Sequence, residues 1–425
     1  MWPWYYCGQL TAPVLTLVVG GNHEASNYMQ SLAYGGWLAP NIYFVGYASV
    51  LRFGSLRIGA LSGIYNGHDY LKGHHERPPY DRSTMRSAYH VRNVDTFRLK
   101  QLTPDMDIFI SHDWPRGVYH HGNVEQLLSK KPFFRDEVES NKLGSRPAEE
   151  LLKRLQPRFW FAAHLHVKFS ALVQHEPVAG DGSAANAADT SRAGDVDAEK
   201  AATSGTAAAA RTTRFLALDK CLPRRRYMQI LELGDGPTEL SYDLEWLTVL
   251  RTTDHLTSVS AAPQYMPGPG CNQRFDFHPS AEELAATTAA WGADLLVPRD
   301  FAVTAPPYDG HSDIRCGRQP AAATDPQTSR FCARLGVRAD ITLDCDRTLD
   351  PDGGGDPAEI ALDEDEDEDE DEDAMFVIDR RGTGVTPVTL AVTPASPDVT
   401  PVTLATPAKK FKRRNQAIYG AEADG

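Results

Sequence analysis

Three clusters of polar residues, each following an apolar run of strand length, are the part of this sequence best suited to chemistry. They are Gly20-Gly21-Asn22-His23-Glu24, Ser111-His112-Asp113 and His164-Leu165-His166. Imidazole nitrogens and an amide oxygen suit borderline divalent metals, and a histidine beside such a metal can donate a proton to a leaving alkoxide. A lone histidine at a strand end is usually an ordinary loop residue, whereas three such clusters in one chain predict a metal site.

The elements that must position these clusters are strands that alternate with helices. Strands are predicted at Val14–Val19, Arg57–Leu61, Ile108–Ser111 and Phe159–Ala163, with two more at Phe215–Leu218 and Tyr227–Leu233. This alternation indicates an α/β fold, in which ligands gather at the carboxyl ends of the strands. Because His164 and His166 occupy alternating positions, we expect both imidazoles to converge on one side of an extended backbone.

A helix is predicted between the third strand and the fourth, and an insertion after the fourth. The helix pattern consists of a capping Ser145, apolar residues at Ala148, Leu151, Leu152 and Leu155, and a terminating Pro157. From Glu176 to about Thr213 the composition turns to Ala, Gly, Ser, Asp and Thr. Such a segment buries too little apolar surface to offset its ordering entropy, so we expect it to be disordered.

The overall composition limits the class of protein. Of the 425 residues 41% are hydrophobic, which is typical of a globular protein with disordered parts. No apolar run approaches the roughly 20 residues that span a bilayer, and no basic segment precedes the first apolar stretch. We therefore expect neither a transmembrane helix nor a signal peptide. The six cysteines are scattered without a C-x-x-C pair, which fits a reducing compartment.

The last 80 residues or so form a tail of unusual charge. Eleven consecutive acidic residues, at 363–373, account for most of the net charge of −14 and leave only −3 for the remainder. Thr-Pro repeats follow, and then a basic cluster formed by Lys409, Lys410, Lys412, Arg413 and Arg414. The cluster indicates a nuclear import signal, with a solvated charge run that balances the acidic tract as the alternative.

Taken together, the motifs resemble the metallophosphoesterase superfamily and, within it, the RNA lariat debranching enzymes. The matching segments are GGNHEASN at 20–27, YGGWLAPNIY at 34–43, SHDWPR at 111–116, HLHVKF at 164–169, ALDKCLP at 217–223 and NQAIY at 415–419. Ala163 stands where most of the superfamily has glycine. The resemblance implies hydrolysis of the 2′-5′ phosphodiester bond at the branch point of excised intron lariat RNA, in mRNA splicing and intron turnover.

The resemblance also implies roles for single residues. Asn22, His112 and His164 would bind one metal of a binuclear pair, His166 would bind the other, and His23 would be the general acid and a phosphate contact. The metals would be Fe²⁺, Zn²⁺ or Mn²⁺, which nitrogen ligands suit better than Mg²⁺. The implied partners are branched lariat RNA and spliceosome-associated proteins but no membrane, and the protein would be a nuclear monomer.

The segment between the first two clusters is rich in tyrosine, histidine and basic residues. Its candidate RNA contacts are Tyr65, His68, Tyr70, Lys72, Arg77, Tyr80, Arg82, Arg86, Tyr89 and Arg92. Basic side chains can contact phosphates and aromatic rings can stack on unpaired bases. Composition alone slightly favours an ordinary polar surface loop, whereas the resemblance favours recognition of the lariat branch.

The implied fold is a β-sandwich flanked by helices, followed by a second domain. Residues 1–250 would form the catalytic domain with the insertion at about 176–213, residues 251–340 a C-terminal debranching-enzyme domain, and residues 341–425 the disordered acidic tail. No C-x-H or D-x-H motif and no bridging Gly-Asp precedes Asn22 in this sequence. We therefore expect the first βαβ part and three metal ligands to be missing, and activity to be impaired.

Three explanations remain open for this departure from the family pattern. The sequence could begin too late, through a mispredicted start or a missing exon. It could be a true short isoform that binds RNA without cleaving it. It could also be another metallophosphoesterase, such as a protein phosphatase or nucleotide diesterase, although the ALDKCLP and NQAIY segments argue against that class.

Overall fold

Two β-sheets and the helices packed on them make up the fold, seen in a computed structural model that describes residues 2–176, 211–234, 236–305 and 325–339. These residues belong to a single unit. The predicted insertion lies largely outside the described residues, and the acidic tail with its Thr-Pro repeats and basic cluster lies wholly outside them. No helix in the described ranges is long and apolar enough to cross a membrane.

The smaller sheet has three strands and lies close to the first polar cluster. Its strands are β1 (Thr16–Val18), β2 (Gly36–Ala39) and β3 (Ile42–Phe44), arranged in the order β1-β3-β2. β1 runs parallel to β3, and β2 runs antiparallel to it. Every residue of β2 and β3 is buried. The cluster at Gly20 therefore follows the edge strand of a well-packed sheet.

The larger sheet has seven strands and carries the other two clusters. They are β4 (Ala48–Phe53), β5 (Leu56–Leu61), β6 (Ile108–Ser111), β7 (Phe159–Ala162), β8 (Phe169–Gln174), β9 (Thr212–Ala217) and β10 (Leu240–Tyr242), in the order β10-β4-β5-β6-β7-β9-β8. The four neighbours β5, β6, β7 and β9 are parallel, and the remaining strands are antiparallel to theirs. Their carboxyl ends therefore meet at one edge, and the mixed α/β class is confirmed.

Ten helices are found in the described ranges. They are α1 (Trp2–Tyr6), α2 (Ser26–Ser31), α3 (Arg82–Ser87), α4 (Asn93–Lys100), α5 (Val124–Lys130), α6 (Arg135–Glu139), α7 (Arg146–Leu155), α8 (Leu244–Thr252), α9 (Ala281–Trp291) and α10 (Pro326–Leu335). α7 is the predicted helix: Ser145 Oγ accepts a hydrogen bond from Ala148 N at 3.2 Å, and the predicted apolar residues are buried. Gln156 ends it in the left-handed conformation, as a C-cap commonly does.

One predicted strand is wrong. Residues Tyr227–Leu233 form no strand but run irregularly over the surface, where Met228 is 70% and Ile230 78% exposed. The apolar run that suggested a strand pairs with no other strand of the described fold. A strand depends on partners for its backbone groups as well as on its own pattern, so the local pattern was not sufficient.

Helices from the C-terminal region complete the core of the smaller sheet. Gln327, on α10, accepts a hydrogen bond from Trp37 N at 2.7 Å and donates one to Trp37 O at 3.1 Å. Phe331 on the same helix stacks on Tyr34, with ring centroids 5.4 Å apart, and packs edge-on against Trp291. The Gln327 amide thus bonds to the backbone N–H and C=O of Trp37, as a neighbouring strand would. Helix α10 therefore belongs to the same folded body as the sheet.

Asp243 joins the β4–β5 hairpin to α8. Its carboxylate accepts two hydrogen bonds from the Arg57 guanidinium, at 3.0 and 3.1 Å, and one from Arg52 Nε at 3.0 Å. Asp243 Oδ1 also accepts from Trp246 N at 3.1 Å and so caps α8. The side chains of Arg57 and Asp243 are only 5% and 1% exposed. Arg57 also pairs with Glu245, so its charge depends on these two carboxylates, Asp243 first, rather than on water.

Replacement of Asp243 by alanine should lower the free energy of unfolding by about 3–5 kcal/mol, because the Arg57 charge stays buried without its main partner. Urea denaturation followed by tryptophan fluorescence measures this loss. Asp243→Asn keeps a capping side chain and should be less harmful by about 1 kcal/mol. As a control, Lys153→Ala breaks only the exposed ion pair with Glu149 and should cost less than about 1 kcal/mol. Equal losses for Asp243→Ala and Lys153→Ala would contradict this account.

Candidate active site

The loop after β1 is fastened to the carboxyl end of β5. Gly20 N donates a hydrogen bond to Ser62 Oγ at 3.1 Å, and Gly63 N donates one to Gly20 O at 2.8 Å. The Ser62 hydroxyl in turn donates to Gly46 O at 2.6 Å. These bonds draw the loop that carries Asn22 from the smaller sheet onto the edge of the larger one.

Gly21 lies directly against the ring of His112. A Cβ atom at position 21 would lie 2.6 Å from Cε1 of that ring, closer than real Cβ contacts come, so only glycine fits. Asn22 Oδ1 is 3.0 Å from His112 Nε2, and His164 Nδ1 is 3.1 Å from the same nitrogen. The structure thus brings together the three side chains that the sequence predicts as one set of metal ligands.

Two imidazoles at this site, those of His112 and His166, are kept neutral. Burial, reinforced by the nearby His164, His166 and His23, lowers the pKa of His112 to about 3. Burial also lowers the pKa of His166 to about 4, with further contributions from Lys220, His164 and Lys131 that outweigh the opposing charge of Asp219. At neutral pH both rings therefore keep a lone pair available for a cation.

His164 and His166 do not converge in the way the sequence predicts. β7 ends at Ala162, and both histidines have a left-handed backbone, with φ of 57° and 52°. The expectation of an extended backbone is therefore wrong. Their rings are placed by two separate reversals of the chain after the strand. Non-glycine residues adopt this conformation at an energetic cost, and such residues concentrate at functional sites.

The donor set fits one divalent ion of the borderline class. The Asn22 amide oxygen and the His164 imidazole each lie about 3 Å from His112 Nε2, and such ligands suit iron, zinc or manganese. Across the described ranges, however, no three His, Cys, Asp or Glu side chains are grouped so that they could hold a metal. Water would have to complete the coordination, and the second metal assigned to His166 stays a prediction.

Asp113, next to His112, fixes the second cluster. Its carboxylate accepts hydrogen bonds from Trp114 N at 2.8 Å and from Tyr65 N at 3.2 Å. Burial raises its pKa to about 7 although these bonds oppose the shift. The Ser111 hydroxyl donates to Asp113 O at 2.6 Å. The sequence analysis gave Asp113 no role. Its position next to His112, a predicted metal ligand, was the one feature of the sequence that could have indicated a role.

An open groove of about 630 Å³ adjoins the cluster. Its lining includes Asn22, His23, Tyr80, Arg82, Met85, Arg86 and Tyr89. His23 is exposed on the side of the groove nearest the cluster, and Arg82 and Arg86 are exposed on α3. The groove therefore combines a histidine, aromatic rings and two arginines with one carboxylate, that of Glu24. Its net positive charge and aromatic rings are what a site for single-stranded nucleic acid requires.

Arg92 does not share this exposure. It is fully buried, and its guanidinium pairs with Glu76 and donates to Asp69 O and Ser87 O, both at 2.7 Å. Glu76 is itself 1% exposed, and Arg92 lowers its pKa against the effect of burial. In this fold Arg92 is a structural residue that holds the segment together rather than an RNA contact.

The other predicted RNA contacts take several positions. Tyr65 and Tyr70 line a second groove, together with Lys100. Lys72 forms an ion pair with Asp69 at 2.7 Å. Arg77 donates to the carbonyl oxygens of His74 and Glu76, the Tyr80 hydroxyl donates to Gln30, and His68 is exposed. The structure thus gathers Tyr80, Arg82, Arg86 and Tyr89 at the groove beside His23 and places the rest elsewhere.

Two family models match the chain. Residues 3–168 match the calcineurin-like phosphoesterase family, and residues 210–340 match the C-terminal domain of lariat debranching enzymes. The first match supports dependence on a divalent metal. The second includes β9 and β10, which belong to the larger sheet, so the start of that match does not coincide with a boundary between folded bodies.

Curated relatives agree with these models. The chain is 49% identical to the lariat debranching enzyme of Homo sapiens over 337 residues, which are 78% of this chain and 57% of that protein. It is 48% identical to lariat debranching enzyme A of Xenopus laevis over 78% of the chain and 58% of the relative. For the enzyme of Drosophila melanogaster the identity is 48%, over 80% and 66%. The chain therefore spans between 57% and 66% of the length of these relatives.

Arg92→Met and Arg82→Met should separate structure from ligand binding, since each removes one guanidinium from the same segment. Arg92→Met leaves Glu76 buried without its partner, so the free energy of unfolding should fall by about 3–5 kcal/mol. Arg82→Met should change stability by less than about 0.5 kcal/mol and weaken binding of single-stranded RNA, with a reduced salt dependence. Urea denaturation and fluorescence anisotropy measure the two effects. The reverse pattern would remove the groove as a candidate RNA site.

Proposed function

The chain belongs to the lariat debranching enzyme family, and from this we propose that it serves the metal-dependent hydrolysis of the 2′-5′ phosphodiester bond at the branch point of lariat RNA. The observation that carries the proposal is the convergence of Asn22, His112 and His164 beside His23 and a basic, aromatic groove. The donor set can hold a metal, and the groove can hold the RNA.

The metal proposed for this donor set is Fe²⁺, Zn²⁺ or Mn²⁺. Asn22, His112 and His164 would hold it, and in the binuclear arrangement of the family His166 would contribute to the second ion. When bound, such an ion supplies Lewis-acid activation of the phosphodiester and of the attacking water. Because the described residues provide one set of three donors, we expect the isolated chain to bind metal weakly and to act slowly.

The residues of the chain itself would orient the RNA and move a proton. Tyr89, which is half-buried, offers a ring surface for an unpaired base, and Arg82 and Arg86 offer positive charge to phosphates, whereas Tyr80 is buried and bonded to Gln30. His23, exposed between this groove and the metal ligands, would donate its proton to the 2′ oxygen as that oxygen leaves. We further propose that the protein acts as a monomer on branched RNA, with spliceosome-associated proteins as its partners.

His23→Ala should slow cleavage of a synthetic branched oligoribonucleotide by about 10²–10⁴-fold, because general acid catalysis contributes about that factor. Single-turnover assays with Mn²⁺ measure the rate, and bound metal measured on the same samples should hardly change. The exposed His120, which lies outside the groove, provides the matched control His120→Ala and should leave the rate unchanged. Cleavage of linear 3′-5′ RNA at the same rate, or full activity of His23→Ala, would refute the proposed reaction.

We also propose that the protein is nuclear, on the strength of the basic cluster in the tail. Deletion of residues 409–414 from a fluorescent fusion should shift the protein toward the cytoplasm, which quantitative microscopy measures. The substitution of Arg380 and Arg381 by alanine removes two basic residues outside the cluster and should have no effect. An unchanged nuclear signal after the deletion would argue against import through this cluster.

A further inference from the structure

The second groove, which Tyr65 and Tyr70 line, lies where the loop after β5 meets α4 and α7. It has a volume of about 410 Å³, within the range of pockets that hold small ligands. Phe97 on α4 and Met266 also line it, so its walls offer aromatic and apolar surface. The rings of the two tyrosines pack edge-on, with centroids 5.5 Å apart, and both residues are half-buried. An aromatic surface of this kind suits an unpaired base.

Hydrogen bonds hold the walls of the second groove in place. The Tyr70 and Thr96 hydroxyl oxygens are 2.6 Å apart, so the ring of Tyr70 rather than its hydroxyl is available to a ligand. The Asn93 amide donates to Gln264 O at 2.6 Å, and Gln264 N donates to Leu71 O at 2.7 Å. The chain before Met266 is therefore tied both to α4 and to the loop after β5, and the groove is formed before a ligand arrives.

The second groove also carries an excess of positive charge. Lys100 and Arg146 share the carboxylate of Glu150, which is the one acid among the described residues that line the groove. The Arg146 guanidinium lies 3.2 Å from this carboxylate, and its side chain is 63% exposed. Because an exposed ion pair contributes little, a phosphate group can compete with Glu150 for the guanidinium.

The second groove is joined to the histidine cluster. Tyr65 N donates to the carboxylate of Asp113 at 3.2 Å, and Asp113 directly follows His112. Ile64 N, one position earlier, donates to Tyr89 O at 3.2 Å. Tyr89 lines the groove beside His23, whereas Tyr65 lines the second groove. Two paired backbone segments therefore separate the two grooves next to the predicted metal ligands.

A branched RNA matches two grooves that adjoin one cluster, because its branch nucleotide is joined to three strands. We propose that the second groove holds an unpaired nucleotide of one RNA arm while the groove with Arg82 holds another arm. The base of this nucleotide packs against the ring of Tyr65, and Arg146 contacts its phosphate. Stacking on an aromatic ring tolerates every base, so the groove accepts an arm of any sequence. This inference rests on the proposed function.

The test uses the full 425-residue chain and synthetic branched oligoribonucleotides with three arms, kept intact by EDTA. In further versions the bases of one arm at a time are removed, which leaves the phosphates of that arm. Fluorescence anisotropy gives Kd as a function of salt. Tyr65→Ala should weaken binding of the complete RNA about fivefold or more, as expected for loss of one stacked base. Arg146→Met should weaken it by up to about fivefold and lower the slope of log Kd against log salt by about 0.7, the value for one contact to a single strand.

Removal of the bases from one particular arm should abolish the effect of Tyr65→Ala but preserve that of Arg82→Met, whose groove holds a different arm. Tyr65→Phe keeps the ring and should restore binding. Arg135→Met is the control for Arg146→Met, because Arg135 also forms an exposed i,i+4 ion pair, with Glu139, and lines neither groove. Thermal unfolding checks that each variant is folded. If Tyr65→Ala is unstable, the comparison of Arg146→Met with Arg135→Met decides the matter.

An equal effect of Tyr65→Ala on every RNA, whichever arm lacks its bases, would overturn the inference, because the ring would then contact no particular arm. The same holds if Tyr65→Ala and Arg146→Met bind like the unsubstituted chain while that chain still prefers branched to linear RNA. In that case the proposed function survives and the second groove alone fails as an RNA site. Lack of any preference for branched RNA in the unsubstituted chain would remove both.

Discussion

The contact between Gly21 and the imidazole of His112 is the constraint on which the rest of the site depends. It allows a loop of the smaller sheet to approach a strand end of the larger sheet with no side chain between them. At this separation the Asn22 amide oxygen lies 3.0 Å from His112 Nε2. The hydrogen bonds of Ser62 with Gly20 and Gly46 keep this loop in place against the larger sheet. A single backbone position thus couples the packing of two sheets to the geometry of one metal-binding cluster.

The parts of the fold that the sequence predicts are those with a local cause. β1, β5, β6, β7 and α7 follow from apolar runs, a capping serine and a terminating proline. The three clusters lie at or just after the ends of β1, β6 and β7. Tyr227–Leu233 shows the limit, because it is an apolar run of strand length and yet forms no strand. Whether an apolar run pairs depends on partners distant in sequence, which periodicity does not report.

The recognition segment shows the same limit for side chains. Arg82 and Arg92 are ten positions apart in one basic, aromatic stretch, and nothing local distinguishes them. In the fold Arg82 faces a groove, whereas Arg92 is enclosed with Glu76 as its counter-ion. Composition can report that charge is present, but only tertiary packing decides which charges remain for a ligand. The left-handed backbone at His164 and His166 was likewise beyond a prediction based on alternation.

That left-handed backbone sets activity against stability at two positions. Histidine at a φ near +55° is strained, whereas glycine or asparagine would adopt the same conformation more readily. Selection for stability alone would therefore favour replacing His164 and His166, and only the requirement for an imidazole at each position opposes it. Random libraries screened for thermal resistance should accumulate glycine and asparagine at these two codons. The selected proteins would be more stable but would lack the two imidazoles that the proposed reaction needs.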